Sequence, residues 1–225
     1  MIRTERYRDP TYLFALAGFL ACVGDFAVTF ILGALYPGYN FIDRTESYLG
    51  ASGSPVAMYM NVWGVVFFLL LMVFAFGLRR TIFKNGSWEA IAAWCVLLYG
   101  LGEGAGSGLF PYDHANGMLT SSAKLHSVFG GIAGLAIVFL PFASTKIFLK
   151  EKSPAIHAYC RVVFFSGLIL IIVFLISKGD LIPFKGLWQR LFILDYHIFI
   201  SVLAVMMIKA GGGTLKSPEI AEGNQ

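Results

Sequence analysis

Residues 55–80 read PVAMYMNVWGVVFFLLLMVFAFGLRR, a run with no charged side chain before the arginine pair at its end. About 20 apolar residues in an α-helix cross the ~30 Å hydrocarbon layer of a bilayer, because each residue advances the helix by ~1.5 Å. Pro55 after Ser54 is typical of a helix start, and Arg79 with Arg80 marks its end. The stretch therefore predicts a transmembrane helix.

The rest of the chain repeats this pattern. Its residues are 57% hydrophobic and 13% charged, whereas about a quarter of the residues in soluble domains are charged. The first apolar run is too long for a signal-peptide core, so it predicts a retained helix. We expect an all-α polytopic membrane protein, a bundle of six transmembrane helices in one domain of residues 1–210, followed by a disordered cytoplasmic tail of residues 211–225. The predicted helices are 12–36, 55–80, 88–109, 122–148, 162–177 and 187–208.

Lysine and arginine are unequally divided between the two sides that this topology defines. The side of the termini carries twelve, and the other side carries five, which are Arg44, Lys124, Lys178, Lys185 and Arg190. By the positive-inside rule, both termini are predicted to be cytoplasmic, and the first, third and fifth loops are predicted to lie outside the cell membrane.

Several functional classes find no support in the sequence. The basic residues flank apolar runs and are not interleaved with aromatic residues, so nucleic acid is not an expected partner. Cys22, Cys95 and Cys160 are isolated and form no C-x-x-C pair, which indicates packing thiols. The glycine-rich third helix lacks the preceding strand of a phosphate-binding loop, so no nucleotide site is expected.

Small residues recur at helical spacing in the third and fourth helices. Gly100, Gly104 and Gly108 lie on the third helix, and Gly130 and Gly134 lie on the fourth. Because glycines let two helix backbones approach closely in lipid, we expect these two helices to pack tightly through these residues.

Polar side chains inside the helices are the strongest indication of function, because a charge at membrane depth is costly and usually faces the bundle interior. Six such residues lie within the predicted helices: Asp25, Asn61, Glu103, His126, Asp195 and His197. Asp25 is in the middle of the first helix, and almost all of the six fall in the predicted outer half of the membrane. The outer loops add Asp43, Glu46, Ser47, Asp113, His114 and Arg190. Because scattered structural residues would have no reason to share one leaflet, we infer a polar pocket open toward the outer face.

Carboxylates and imidazoles in a partly dry pocket suit general acid or base catalysis. The candidate catalytic residues are His126, Asp113, Glu103, Asp195, Ser47, Asn61 and Arg190. The cofactor is unknown, and a divalent metal such as zinc is one possibility, since zinc needs about three protein ligands and a vacant position. The candidate ligands are His126, His197 and Asp113.

Two further considerations limit these assignments. Asp195 and His197 lie two residues apart on a helix and point about 200° apart, so only one is expected to face the pocket. A haem held by His126 and His197 is another interpretation, supported by this single pair of histidines.

Structural roles are an alternative for each candidate. His126 can cap a helix or bind a loop, and Asp195 can pair with Arg190 or Lys124. Asp25 can hydrogen-bond a neighbouring helix.

Short motifs occur in a fixed order along residues 12–209. They are Ser47-Tyr48-Leu49-Gly50, Asn61, Gly108-Leu109-Phe110-Pro111-Tyr112-Asp113, His126 and Gly186-Leu187-Trp188-Gln189-Arg190. This arrangement resembles the domain of unknown function 998 family of bacterial and archaeal membrane proteins. The resemblance implies a small six-helix protein in the cytoplasmic membrane of a prokaryote and no settled activity. The family often has an acidic residue where this chain has Tyr48, and Glu where it has Gln189. If those carboxylates are catalytic in relatives, Glu46 has to substitute here, or the function differs.

A second likeness concerns Ser122 and His126, which match the Ser-x-x-x-His signature of the membrane hydrolases related to alkaline ceramidases and progestin receptors. The His-x-x-x-His signature of that superfamily is absent, and Asp195-x-His197 is a poor replacement. This likeness suggests a hydrolase-like mechanism for the chain, and not that the chain belongs to that superfamily.

The leading hypothesis is a membrane-embedded enzyme, hydrolase-like or acting by acid and base, whose substrate is a membrane lipid or another hydrophobic molecule. The first alternative is a non-catalytic protein that binds a lipid or a partner helix. The second is a proton-coupled carrier, which would need acidic groups on both sides of the midplane. The sequence does not indicate an oligomeric state.

Overall fold

A computed structural model describes residues 10–211 and confirms an all-α chain with six helices long and apolar enough to cross a membrane. The helices are α1 (Pro10–Leu35), α2 (Ala57–Arg80), α3 (Ser87–Leu109), α4 (Ser121–Ile147), α5 (Pro154–Lys178) and α6 (Lys185–Gly211). A two-stranded hairpin, β1 (His114–Ala115) and β2 (Met118–Leu119), lies between α3 and α4. The predicted tail, apart from Gly211, lies outside the described residues.

The helix bounds agree with the predicted ones except at α5, which begins at Pro154 rather than near residue 162. Its first two turns contain His157 and Arg161, and hydropathy alone therefore excluded them. Proline is favoured in the first helical turn because its missing N–H has no partner to lose there. The result is a helix of 25 residues, comfortably long enough to span a bilayer.

The six helices form a closed ring. Each helix contacts the next one along the chain, and α6 returns to contact α1. The links between α2 and α3, α4 and α5, and α5 and α6 are short, which favours antiparallel neighbours. One end of the ring carries residues 36–56, the β hairpin and the α5–α6 turn; we call it the distal end, opposite the start of α1 and the end of α6.

Apolar side chains fill the ring and also cover its outside. Phe67, Leu71, Phe74 and Leu203 are buried in the core, while Leu135 is 75% exposed. Many other large apolar side chains are exposed on the helices. An apolar surface of this extent is unfavourable in water and suits hydrocarbon. The chain is therefore built as a multi-pass membrane protein.

The glycines of α3 form two sets that face different helices, and residues 100–106 of this helix form a π-helical segment. A Cβ on Gly104 would lie 2.5 Å from the carbonyl oxygen of Gly64, and one on Gly108 would lie 2.7 Å from that of Asn61, both in α2. A Cβ on Gly102 would lie 2.3 Å from the carbonyl oxygen of Phe129 in α4. The close approach between α3 and α4 thus uses a different glycine from those predicted.

The predicted role of the α4 glycines is wrong. A Cβ added to Gly130 meets no atom within 4 Å, and one added to Gly134 meets only Ile171 of α5, at 3.2 Å. Neither glycine packs against α3, because Phe129 and Ala133, the residues that precede them, are the ones that face Gly102 of α3. The α4 glycines instead border an open space, which is part of the candidate site.

Candidate functional site

A cavity of about 300 Å³ lies at the distal end of the ring, between α4 and α5. Its polar lining comes from six different segments of the chain, and its apolar lining comes from α4, α5 and α6. The polar residues are Thr45, Ser47, Tyr99, Glu103, Tyr112, His126, Ser127, Lys178 and Gln189. A volume of this size is at the lower end of the range for small-molecule pockets.

Ser47 and His126 are in direct contact at the wall of this cavity. Ser47 Oγ lies 3.0 Å from His126 Nε2, and His126 Nδ1 lies 2.9 Å from the carbonyl oxygen of Phe110. A carbonyl can only accept, so Nδ1–H of His126 is the donor to Phe110. In the neutral ring Nε2 is then the acceptor, and the hydroxyl of Ser47 donates to it.

The local sequence explains how these three groups meet. Helix α3 ends at Leu109, and Pro111 leaves the Phe110 carbonyl at the helix end without a helical partner. Helix α4 begins after Thr120, whose Oγ1 accepts from the N–H of Ala123 at 3.2 Å. His126 follows in the second turn of α4 and reaches back to Phe110.

Ser47 belongs to a short 3₁₀ helix, Glu46–Tyr48, in the segment 36–56 that we call the distal loop. Arg190 of α6 holds this loop through a buried guanidinium, exposed by only 7%. Its Nη2 donates to Tyr39 Oη at 2.8 Å. Its Nη1 donates to three carbonyls, those of Phe41 at 2.6 Å, Gly186 at 2.9 Å and Arg44 at 3.1 Å. Arg190 therefore lies behind the cavity wall and positions the loop.

Glu46 and Gln189 complete this anchor. The backbone N–H of Glu46 donates to Gln189 Oε1 at 2.8 Å, and Arg190 Nε lies 3.6 Å from Glu46 Oε1. Burial, which is the largest effect, raises the pKa of Glu46 to about 8, although the neighbouring guanidinium of Arg190 opposes this rise. The position of Ser47 thus depends on buried polar contacts to the first turn of α6.

Glu103 and Asn61 lie near the Ser47–His126 pair. Glu103 lies in the π-helical segment of α3 and lines the main cavity. A second cavity of about 30 Å³ adjoins the same three residues, Ser47, Glu103 and His126, and Asn61 lines it from α2. π-helical segments often occur at functional sites, where the extra residue redirects a side chain. Four of the seven predicted catalytic residues are therefore close together.

Asp113 has a different environment. Its carboxylate accepts from the backbone N–H of Ser52 at 2.8 Å and from the Ser52 hydroxyl. This contact ties the distal loop to the segment after α3, and Asp113 does not line either cavity. It is a loop contact in this structure rather than a partner of His126.

His197 and Asp195 do not line either cavity. His197 Nε2 lies 3.0 Å from Tyr99 Oη and 3.9 Å from an oxygen of Asp25. The Asp25 carboxylate accepts from Trp63 Nε1 at 2.9 Å, which makes a buried polar cluster between α1, α2, α3 and α6. The carboxylate of Asp195 accepts from Ser166 at 3.0 Å, so it pairs with neither Arg190 nor Lys124.

The predicted zinc site is not supported by this geometry. His126, His197 and Asp113 contact three separate sets of partners. Within residues 10–211, no group of three His, Cys, Asp or Glu side chains is arranged to hold a metal ion. The two histidines suggested for a haem likewise have different neighbours.

Six polar residues of the cavity were not among the predicted site residues: Thr45, Tyr99, Tyr112, Ser127, Lys178 and Gln189. Gln189 and Tyr112 belong to the motifs that indicated the family, and Lys178 ends α5. The ring of Tyr112 lies 5.2 Å from that of His126, and Lys178 Nζ lies 5.6 Å from the Tyr112 ring centre. Burial is the largest effect that raises the pKa of Tyr112. Membership of a motif was the sequence signal for Gln189 and Tyr112.

Comparison with protein families supports the resemblance indicated by the motifs. The profile of the family described as Protein of unknown function (DUF998) matches residues 19–206, which is most of the chain. That segment contains every residue of the cavity and the whole distal loop. Comparisons with curated proteins and with solved structures gave no match.

Proposed function

We propose that this chain, which belongs to the DUF998 family of proteins of unknown function, is a membrane-embedded hydrolase that cleaves an ester bond in a lipid. The observation that carries the proposal is the hydrogen-bonded series Ser47 Oγ, His126 Nε2, His126 Nδ1 and Phe110 carbonyl oxygen. A serine next to a base that is itself oriented by a third group is the arrangement used in nucleophilic catalysis.

In the first step Ser47 Oγ attacks the ester carbonyl carbon while its proton passes to His126 Nε2. The tetrahedral intermediate collapses by breaking the bond to the alcohol oxygen, which leaves with the proton from His126. In the second step His126 takes a proton from water, and the resulting hydroxide attacks the acyl-Ser47 ester. The fatty acid is released and Ser47 recovers its proton. The Phe110 carbonyl keeps the imidazole in the required tautomer throughout.

The oxyanion formed in each step needs a hydrogen-bond donor. Gln189 lines the cavity, and its amide oxygen is engaged by the backbone N–H of Glu46 at 2.8 Å. This contact fixes the amide plane, so the Nε2 group is the donor that Gln189 offers to a bound substrate.

The distribution of basic residues supports a location for this chemistry. With the distal end outside the cell membrane, as the positive-inside rule predicts, the cavity lies in the outer leaflet. Both water and acyl chains have access to that level of the bilayer. A non-catalytic lipid-binding protein is the second candidate, because the apolar part of the cavity can hold a chain without any reaction.

The test is covalent labelling of the detergent-purified full chain with an alkyl fluorophosphonate, read by mass spectrometry. We expect one adduct on Ser47, loss of labelling in Ser47→Ala, and at least a 100-fold slower labelling rate in His126→Gln, which cannot act as a base. Ser127→Ala is the matched control, because Ser127 lines the same cavity but donates to the Ala123 carbonyl at 2.9 Å.

Two results would overturn the proposal. One is wild-type protein that neither reacts with the probe nor hydrolyses a short-chain nitrophenyl ester. The other is labelling that persists unchanged in Ser47→Ala. Size-exclusion profiles and tryptophan fluorescence of the variants show whether they remain folded. If these signals match the wild type while labelling is lost, the loss comes from the missing nucleophile.

A further inference from the structure

We infer that the substrate is a glycerophospholipid, which enters sideways between α4 and α5 with one acyl chain beside Gly130 and its phosphate beside Lys178. This inference rests on the proposed hydrolase function and adds the substrate class and its orientation.

The cavity opens sideways because α4 and α5 diverge toward the distal end. At Gly134 the helices are in contact, since a Cβ there would lie 3.2 Å from Ile171 Cδ1. One turn nearer the distal end, a Cβ on Gly130 would meet nothing within 4 Å, and the same holds for Gly131. Leu135 at this opening is 75% exposed. A chain in the surrounding hydrocarbon therefore reaches the cavity without crossing water.

The walls of this opening are apolar. Ile171, Phe174, Leu175, Phe192 and Ile193 line it together with the glycines of α4. A cavity of about 300 Å³ has room for part of one acyl chain but not for a whole two-chain lipid. The second chain stays in the bilayer, outside the gap. Substrates with a long apolar chain bury more apolar surface here than short ones, and binding strengthens accordingly.

The depth of the residues matches the depth of the groups in a phospholipid. Helix α4 has 27 residues and is about 40 Å long, so about 5 Å at each end extends beyond a ~30 Å hydrocarbon layer. His126, five residues from the start of α4, lies about 2 to 3 Å inside that layer. Gly130 and Gly134 lie about 9 and 15 Å inside it. The Ser47–His126 pair is thus at the level of glycerol esters, and the glycines are at the level of acyl chains.

Lys178 supplies the charge that a phosphate needs. It lines the cavity at the last turn of α5, which places its ammonium group at the headgroup level. The neighbouring Lys185 is paired with Asp180 at 3.0 Å, and Glu103, the acidic residue of the cavity, lies in α3 close to His126. Lys178 is therefore the cation at the mouth, where a phosphate approaches, and Glu103 lies further in.

The test compares hydrolysis of phosphatidylglycerol and of diacylglycerol, each with 18-carbon chains, in vesicles containing the full chain. Gly130→Leu fills the chain site, and we expect at least a ten-fold loss of hydrolysis of both lipids, with unchanged fluorophosphonate labelling of Ser47 by a short alkyl probe. Val128→Leu is the matched control, because Val128 is on the same helix, is 58% exposed and does not line the cavity.

Lys178→Met keeps the length of the side chain and removes its charge. We expect at least a five-fold loss with phosphatidylglycerol and less than a two-fold change with diacylglycerol. Inorganic phosphate added at millimolar concentration serves as a competitor; inhibition of the wild type as strong as the loss in Lys178→Met would point to a free-phosphate site and overturn the headgroup assignment.

The outcomes separate the two proposals. If Ser47 is labelled in every variant but Gly130→Leu cleaves 18-carbon lipids as fast as the wild type, the chain site is wrong and the hydrolase stands. If Lys178→Met slows both lipids equally, the phosphate contact is wrong. If Ser47 is labelled in no variant, including the wild type, the proposed hydrolase itself fails.

Discussion

Replacing Arg190 by alanine tests whether the anchor of the distal loop maintains the site. The guanidinium donates to Tyr39 Oη at 2.8 Å and to three backbone carbonyls at 2.6, 2.9 and 3.1 Å, and it faces the buried carboxyl group of Glu46 at 3.6 Å. Neither alanine nor lysine can make these contacts at once, because only the guanidinium of arginine has a planar fork of donors.

The expected cost follows from these contacts. Removing the guanidinium leaves the Tyr39 hydroxyl and the loop carbonyls without their donor. Each buried polar group that loses its partner costs about 1–3 kcal/mol, so the total is on the order of 3–5 kcal/mol. For a domain of this size each kcal/mol corresponds to about 2–4 °C in melting temperature. Arg190→Ala should therefore lower the melting temperature by on the order of 10 °C. Arg190→Lys keeps the charge but loses most of the donor fork. Its melting temperature should therefore lie between those of the wild type and of Arg190→Ala.

The assay is thermal unfolding of the detergent-purified protein, combined with limited proteolysis of the distal loop and fluorophosphonate labelling of Ser47 below the melting temperature. We expect faster cleavage within residues 36–56 and slower labelling in Arg190→Ala. Arg44→Ala is the matched control, because Arg44 is exposed and contributes its carbonyl, not its side chain, to the anchor. If Arg190→Ala has the same melting temperature, the same rate of proteolysis and the same rate of Ser47 labelling as Arg44→Ala, the reasoning about the anchor is refuted.

Two further predictions concern pH and packing. Because burial raises the pKa of Glu46 to about 8, whereas an unfolded Glu titrates at about 4.3, the stability from this protonated group is full below pH ~4 and is lost as pH rises through ~8. The melting temperature of the wild type should fall more steeply from pH 5 to 8 than that of Glu46→Gln, and equal slopes in scanning fluorimetry would contradict this. Gly104→Ala places a Cβ 2.5 Å from the Gly64 carbonyl oxygen, and should cost about 1–3 kcal/mol. Gly130→Ala, which meets open space, should not lower the melting temperature, and equal destabilisation of both variants would show that the packing argument fails.

The candidate site was only partly predictable. Polar residues in apolar helices marked Glu103, His126 and Asn61, because burying such groups is costly and needs a reason. The same rule also selected Asp195 and His197, which the structure places in other contacts. Cost of burial identifies which residues need partners, but it does not say which partners they find.

Contacts between distant segments explain the remaining differences. Ser47 and His126 are 79 residues apart in sequence, and their contact depends on an anchor from α6 that no local pattern reveals. The spacing of the α4 glycines led to the wrong prediction that they pack against α3. Spacing shows which residues share a helix face, but it does not show which neighbour that face contacts. Gly102, which the predicted seam did not include, is the glycine that meets α4, at Phe129 and Ala133.

The sequence by itself determined that six helices form, where they begin and end to within about three residues except at the start of α5, and that the chain belongs in a membrane. These features depend on composition and on hydrogen bonds within each helix, which are local. Only the tertiary structure decided that Ser47 meets His126, that Asp113 binds a loop and that α4 and α5 separate around a cavity. Those features depend on the order of helices in the ring and on their rotation, which are set by the packing of all six helices together.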